Sequence, residues 1–422
     1  MRLPTLLAAL ILPVLARPVS ADVIVVDPAG GGDFITLSAA VTAAAEGDTV
    51  LISPSAPCTG CVGGAVVDGK SLTIAFDAAA GSAAAYPLNG LQVNNLAAGQ
   101  LVVLRGLHVD HTLYATFNDG TVWIEDCTAT GKKGSGDAPG GCLTPEGVGD
   151  GLPGIYAWFS FDVIVIGCTL TGGPGADAFL NQQFPSLSKL ATDGGSGLFA
   201  AAATVVVHGS TLTAGKGGSG QLCFELGDGG PGLDAVKAGP SSHVFLSGCT
   251  LLGGEPGAGP AAGAPGPGLR GDATSTFEIM DSSVLAWPGG ADFVTAPGAV
   301  IDYPETARRF SLPSPLREGD AATLSIAGEM GDFVGFFWSF NGLLTPKPGK
   351  SGWFLLGGPF IAGPSLIGAI TDPGGEWLIP ITTPLLPAAV EEQTFLLQAY
   401  FQHAGGATLG SGTAFTLLDA SL

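Results

Sequence analysis

The chain has 422 residues, 68 of them glycine and 31 proline, and only 12% of its residues are charged, about half the usual share. A formal charge of −21 excludes nucleic acid and anionic membranes as natural partners. A hydrophobic content of 46% excludes a disordered chain, and the length leaves room for two domains.

Residues 1–21 have the form of a secretory signal peptide. Arg2 gives the positive start, Leu3 to Leu15 the apolar run, and Val19-Ser-Ala21 a small-residue cleavage site. The sequence predicts an exported protein cut after Ala21 and without a membrane span, since no later apolar run reaches the length a bilayer demands. Seven cysteines in an exported chain suggest disulfides, although the count is odd. Cys58 and Cys61 either close a tight loop bridge or remain two thiols. Cys142 and Cys223, in separate glycine-rich loops, are a second possible pair. Cys127, Cys168 and Cys249 fall in a repeated corner position and read as small buried hydrophobes.

A first strand is expected at 23–26, then an alanine-rich helix within 32–45 that stops at Glu46-Gly47. A short helix ahead of stacked strands covers the open end of their core. Apolar pairs follow at Val50/Ile52, Leu72/Ile74 and Val102/Leu104, read as being in register with Val122/Ile124.

Three copies of one unit then appear between Asp150 and Gly254. Each opens on Asp-Gly-x-Pro/Ser-Gly, at Asp150, Asp193 and Asp228, and closes on a Thr-Leu pair after Cys168, Ser210 or Cys249. Aligning the exits fixes two apolar columns, Val122–Val163–Val205–Val244–Phe277 and Ile124–Val165–Val207–Leu246–Ile279. Ala129–Leu170–Leu212–Leu251–Val284 make a third beyond the corner. Alternation with a period of 2 means strands, and the unit-to-unit match means that they stack in parallel. Glycine- and proline-rich insertions at 131–149, 172–192, 214–227 and 253–264 enlarge the later turns.

The run Gly32-Asp-Phe-Ile-Thr-Leu-Ser-Ala-Ala-Val41, with Glu46-Gly-Asp-Thr-Val-Leu-Ile52, resembles the N-terminal cap of the right-handed parallel β-helix, pectin-lyase-like superfamily, in a bacterial secreted form. Leu101–Val109 and the Gly-Cys-Thr-Leu exits are similar to its turns, so the resemblance implies this fold over 22–302. It implies no single activity, because the superfamily includes lyases, hydrolases, esterases, adhesins and inactive members. Trp123-Ile-Glu-Asp126 is similar to the Val-Trp-Ile-Asp-His run of pectate lyases, but Glu125 stands at the calcium-binding Asp position and Asp126 at the His position. The lyase Arg-x-Pro-x-x-Arg run and the signatures of polygalacturonases and pectin methylesterases are missing from the sequence.

Residues 303–318 break the pattern and read as a linker. Beyond them, seven alternating runs between 321 and 419, separated by Pro-Gly and Asp-Pro-Gly-Gly turns, predict a C-terminal antiparallel β-sandwich over 319–422.

Two sets of outward residues suggest chemistry. Tyr156, Phe199, Asp234 and Arg270 are placed one above another at about 4.8 Å per strand. Aromatic faces beside a carboxylate and a guanidinium suit a sugar ring, or else amount to a cross-strand pair and a surface ion pair. Asp150, Asp193 and Asp228 recur at one edge, as Ca²⁺ requires, or simply make Asp-Gly turns. His108 and Asp110 share an outward face, either a loose metal site or a solvated one. Trp123, Ile164, Val206 and Phe245 form an outward apolar stripe, which marks a partner surface unless the insertions or the C-terminal domain cover it. The sequence thus favours an exported, non-catalytic β-helix that binds a polysaccharide or cell-surface matrix, or serves structurally there. Its rival is a divergent polysaccharide lyase or hydrolase.

Overall fold

The computed structural model describes residues 21–55, 63–77, 81, 83, 86–134, 150–177, 191–219, 231–259, 262–296, 299–346, 350–360 and 362–422, with the backbone alone over 362–366. The stretch read as a signal peptide, up to Ser20, and Cys58, Cys61, Cys142, Cys223 and Asp228 lie outside the described residues.

The chain is nearly all β, and the strands before residue 304 pair in parallel. One sixteen-stranded sheet runs from Val23–Val26 through Thr49–Ile52, Leu72–Phe76, Leu101–Arg105, Leu113–Glu125 and Ile155–Ile166, then divides along two arms. A second sheet of six short strands, from His108–Val109 to Ser283–Leu285, stacks the Thr-Leu exits. The arrangement is compatible with a parallel β-helix. All three apolar columns hold: Val163 lies between Val122 and Val205, Val165 between Ile124 and Val207, and Leu170 between Ala129 and Leu212. Their side chains form one continuous core with Cys127, Cys168 and Cys249, which are free and buried. Burial drives the Cys249 thiol up to about 11, so it stays protonated.

Leu37–Ala43 is the expected helix, entered at Thr36, whose hydroxyl accepts from the Ala39 N–H at 3.4 Å. Its buried Leu37, Ala40 and Val41 join the core.

Two registers differ from expectation. Val50 pairs with Ile74 rather than Leu72, and Leu72 pairs with Val102. A slip of two keeps every side chain on its face, so apolar alternation cannot detect it. Leu198 pairs with Val236 rather than Leu233. The third unit carries three extra residues before its strand, which the repeated Gly-Leu pair conceals.

The C-terminal part has a three-stranded and a two-stranded antiparallel sheet. A five-stranded sheet beside them is antiparallel except where Leu316–Arg317 pairs in parallel with Gly406–Leu418. Residues 303–318 contribute the strands Arg309–Ser311 and Leu316–Arg317 to these sheets, and Arg308, Phe310 and Leu312 are buried. The stretch read as a linker is therefore woven into the C-terminal sheets.

Candidate functional site

Among the described residues the stack shows two outward apolar flanks, and they differ in how deeply they are buried. On the first are Trp123, Ile164, Val206 and Phe245, the stripe visible in the sequence. It is fully buried against Trp353, Phe354, Leu355, Leu356, Leu396, Leu409 and Ala414 of the C-terminal part. Gly412 is needed there: a Cβ would come 2.7 Å from the Trp123 ring and 2.8 Å from the Leu397 carbonyl. A buried ionic clamp reinforces the contact. Glu125 pairs with Arg105 at 2.9 Å, takes the Trp123 Nε1–H at 2.9 Å, and accepts from Thr413 Oγ1 at 2.5 Å and the Ala414 N–H at 2.6 Å. Arg105 also reaches Asp126 at 3.1 Å and the carbonyls of Leu312 and Ala414. Burial pushes Glu125 upward while Arg105 opposes it. Glu125, which the sequence resemblance set at a calcium-binding position, thus serves as a brace between the two parts of this chain.

The second flank carries Tyr156 and Phe199, in register and stacked with centroids 5.0 Å apart and planes 13° apart. The column extends one unit earlier to Tyr114, 5.7 Å from Tyr156. Trp158 lies beside it, 6.4 Å from Tyr156 and 4.9 Å from Phe117. Phe117, Phe159 and Phe161 stand at the edge, 52%, 44% and 51% exposed.

The backbone at this edge is unusual. Asn95, Phe117, Phe159 and Ala202 occupy one corner of successive turns with φ of 56°, 57°, 47° and 48°. The opposite corner, also left-handed, uses Gly106, Asp126, Gly167, Gly209, Gly248 and Asp281. Glycine, Asn and Asp tolerate this conformation, whereas a bulky side chain costs about 1–2 kcal/mol. Two phenylalanines at such a corner need an explanation beyond the fold. Behind them Asn118 is completely buried and satisfied, accepting from the Leu96 N–H and donating to the Val93 carbonyl and Ser160 Oγ.

Asp234 does not belong to the outward column. Lys237 takes its place, paired in register with Phe199 and Arg270. Asp234 is fully buried, and Arg270 Nε sits 2.9 and 3.0 Å from its two oxygens. Burial raises Asp234, against the pull of Arg270 and Lys237. The reason is the same three-residue insertion, which turns Leu233-Asp234 into the approach to the strand. Lys237 lies 5.8 Å over the Phe199 ring and also acts electrostatically on Asp150 and Asp193.

Of the acidic column, Asp150 and Asp193 are close: Asp150 Oδ1 accepts the Asp193 N–H at 3.2 Å. Burial raises both, with Asp150 adding to the shift of Asp193. Among the described residues no three such groups gather as a metal site. His108 and Asp110 form an exposed pair at 3.1 Å.

A cleft of about 450 Å³ opens elsewhere, between the last stacked turns and the C-terminal part. Glu278, Tyr303, Glu305, Lys350, Trp353 and His403 line it. Glu278 receives hydrogen bonds from Tyr303 at 2.9 Å and Trp353 at 3.3 Å, and is 2.7 Å from His243. Against the burial that would raise it, these contacts hold Glu278 below its ordinary range. Burial, then Glu278, pushes Tyr303 up to about 12.

The sequence reading missed Tyr114, Trp158, Phe117, Phe159, Phe161 and Lys237. A signal for five of these was present: Leu113-Tyr-Ala-Thr-Phe-Asn118 and Ile155-Tyr-Ala-Trp-Phe-Ser160 are two copies of one pattern, with Phe161 following the second. No protein-family model matches the chain, and no curated protein matches it. Among the described residues no helix is long and apolar enough to cross a membrane.

Proposed function

We propose that the protein is an exported, non-catalytic right-handed parallel β-helix of pectin-lyase-like architecture, braced by a C-terminal β-sandwich, that binds neutral glycans of a cell-surface matrix. The observation that carries this reading is the half-exposed aromatic column of Tyr114, Tyr156, Trp158 and Phe199, rimmed by exposed Phe117, Phe159 and Phe161, beside a second flank that the chain itself buries. Aromatic rings gain by removing sugar CH patches from water, and a rigid stacked scaffold loses little entropy on binding.

Charge argues for a neutral ligand. Lys237 and Arg270, the cations of this flank, already act on Asp150, Asp193 and Asp234, and the whole chain carries −21. An acidic polysaccharide would gain little at the flank and meet repulsion elsewhere. Co-sedimentation with insoluble neutral and acidic polysaccharides tests the reading. Retention by neutral polymers, reduced at least fivefold in Tyr156→Ala/Trp158→Ala, is the expected result; equal retention of that variant overturns the assignment of the flank.

The cleft favours a second reading, a divergent polysaccharide hydrolase or lyase. Glu278, His243 and Tyr303 form a hydrogen-bonded set, and Glu305 and Lys350 also line the cleft. Yet Glu278 is held ionised by three partners, which suits a structural anchor better than a proton donor. Release of reducing or unsaturated sugars from a polysaccharide panel, lost in Glu278→Gln and Glu305→Gln, would replace the binding reading with this one.

A further inference from the structure

We infer that Phe117 and Phe159 form a contact wedge for the flat apolar face of an ordered, insoluble neutral polysaccharide, rather than for a single soluble chain. This rests on the glycan-binding reading and narrows it to one physical form of ligand.

Four observations lead here. Phe117 and Phe159 hold left-handed backbone at φ 57° and 47°, although the same corner carries Asn95 and Ala202 on the turns either side. The corner therefore accepts small or polar residues without loss of the turn, so the phenyl rings serve something other than the fold. Their rings are parallel within 5°, with centroids 5.8 Å apart, and they remain 52% and 44% exposed. Phe161, 51% exposed, follows two residues beyond Phe159. Trp158 packs against both wedge rings at 4.9 and 5.2 Å, tying the wedge to the Tyr156 column.

The chemistry of these three exposed side chains decides the ligand. A phenyl group has no donor or acceptor, so it cannot read the hydroxyls that identify a single hydrated chain. It gains only from apolar area removed from water. Packed neutral chains offer such area as an extended sheet of CH faces, whereas a free chain turns hydroxyls to every side. The described cations of the adjoining column, Lys237 and Arg270, already act on neighbouring carboxylates, so neither uronate nor sulfate groups are favoured.

The test compares binding of the full chain to microcrystalline cellulose, microcrystalline chitin, swollen amorphous cellulose, soluble cellohexaose and uncharged phospholipid vesicles. Phe117→Asn/Phe159→Asn uses the residue found at position 95 of the same corner. Phe159→Ala uses the one found at 202, in case the double variant folds poorly. Expected is retention on a microcrystalline polymer at least tenfold above that on its soluble oligomer. Both variants should lose that retention at least tenfold, with a melting temperature unchanged or raised because the left-handed strain is relieved. Equal affinity for cellohexaose, or full retention by folded variants, overturns the wedge while leaving the glycan reading intact. No binding to any polysaccharide ends both, and partitioning to vesicles alone makes the wedge a lipid contact instead. Loss of folding in both variants would assign the rings to the fold and overturn the inference too.

Discussion

The two outward flanks of the stack are built alike and finished differently. Each sets aromatic and aliphatic side chains in register on successive parallel strands. On one, Trp123 and Phe245 vanish beneath strands of the C-terminal part; on the other, Tyr156, Trp158 and Phe199 pack on one another half-buried, with exposed Phe117, Phe159 and Phe161 at the rim. Outward apolar residues are thus ambiguous until it is known what covers them. The covered flank owes its composition to stability; the half-exposed one, rimmed by Phe117, Phe159 and Phe161, is the one we propose as a binding surface.

The largest expected effect is on the covered flank. Trp123→Ala removes a ring seated against Gly412 and the hydrogen bond to Glu125, and should cost about 3–5 kcal/mol in denaturant unfolding. A cost below about 1 kcal/mol would mean that the two parts are barely coupled.

A second test uses pH. His208, sealed at the same interface and packed edge-on to Phe245 at 5.6 Å, is held down to about 4 by burial from an ordinary value of 6.5. Its folded form resists protonation, so its contribution is complete above about pH 6.5 and is lost as pH falls towards 4, about 3 kcal/mol in total. Burial raises Glu392 to about 7 and Asp162 to about 6. Their contributions run the other way, complete at low pH and lost as pH rises through those values. His208→Leu should therefore raise stability at pH 4.5 relative to pH 7.5, moving the optimum to lower pH. An unchanged profile in urea midpoints would show that His208 is not sealed.

Gly412→Ala should be milder, about 1–3 kcal/mol, because the added methyl meets Trp123 and the Leu397 carbonyl. Residues 303–318 should resist limited proteolysis, since Arg308, Phe310 and Leu312 are buried there. Early cleavage within that stretch would restore the open linker that its sequence suggests.

The core was legible in the sequence because parallel stacking returns the same residue class to the same place. Val165 and Leu212 sit where alternation puts them. What escaped detection follows from the same rule. A slip of two, as at Leu72, leaves every face unchanged, and the repeated Gly-Leu pair at Gly232-Leu233 hid an insertion that carries Asp234 inside. The Phe117 and Phe159 corner was hidden for another reason: left-handed turns announce themselves through Gly, Asn or Asp, and phenylalanine gives no such signal. Nor does a stripe such as Trp123–Phe245 state its own cover, because that depends on strands nearly 300 residues further on, at Thr413 and Ala414.

The most direct measurement sets the two flanks against each other. Tyr156→Ala/Trp158→Ala/Phe199→Ala and Trp123→Ala are compared in thermal melting and in retention on an insoluble neutral polysaccharide. The aromatic-flank variant should melt within a few degrees of the parent and lose retention at least tenfold, while Trp123→Ala, assayed below its lowered melting point, should bind as the parent does. The opposite pattern, an aromatic-flank variant that unfolds or that binds undiminished, would contradict the division of labour between the flanks.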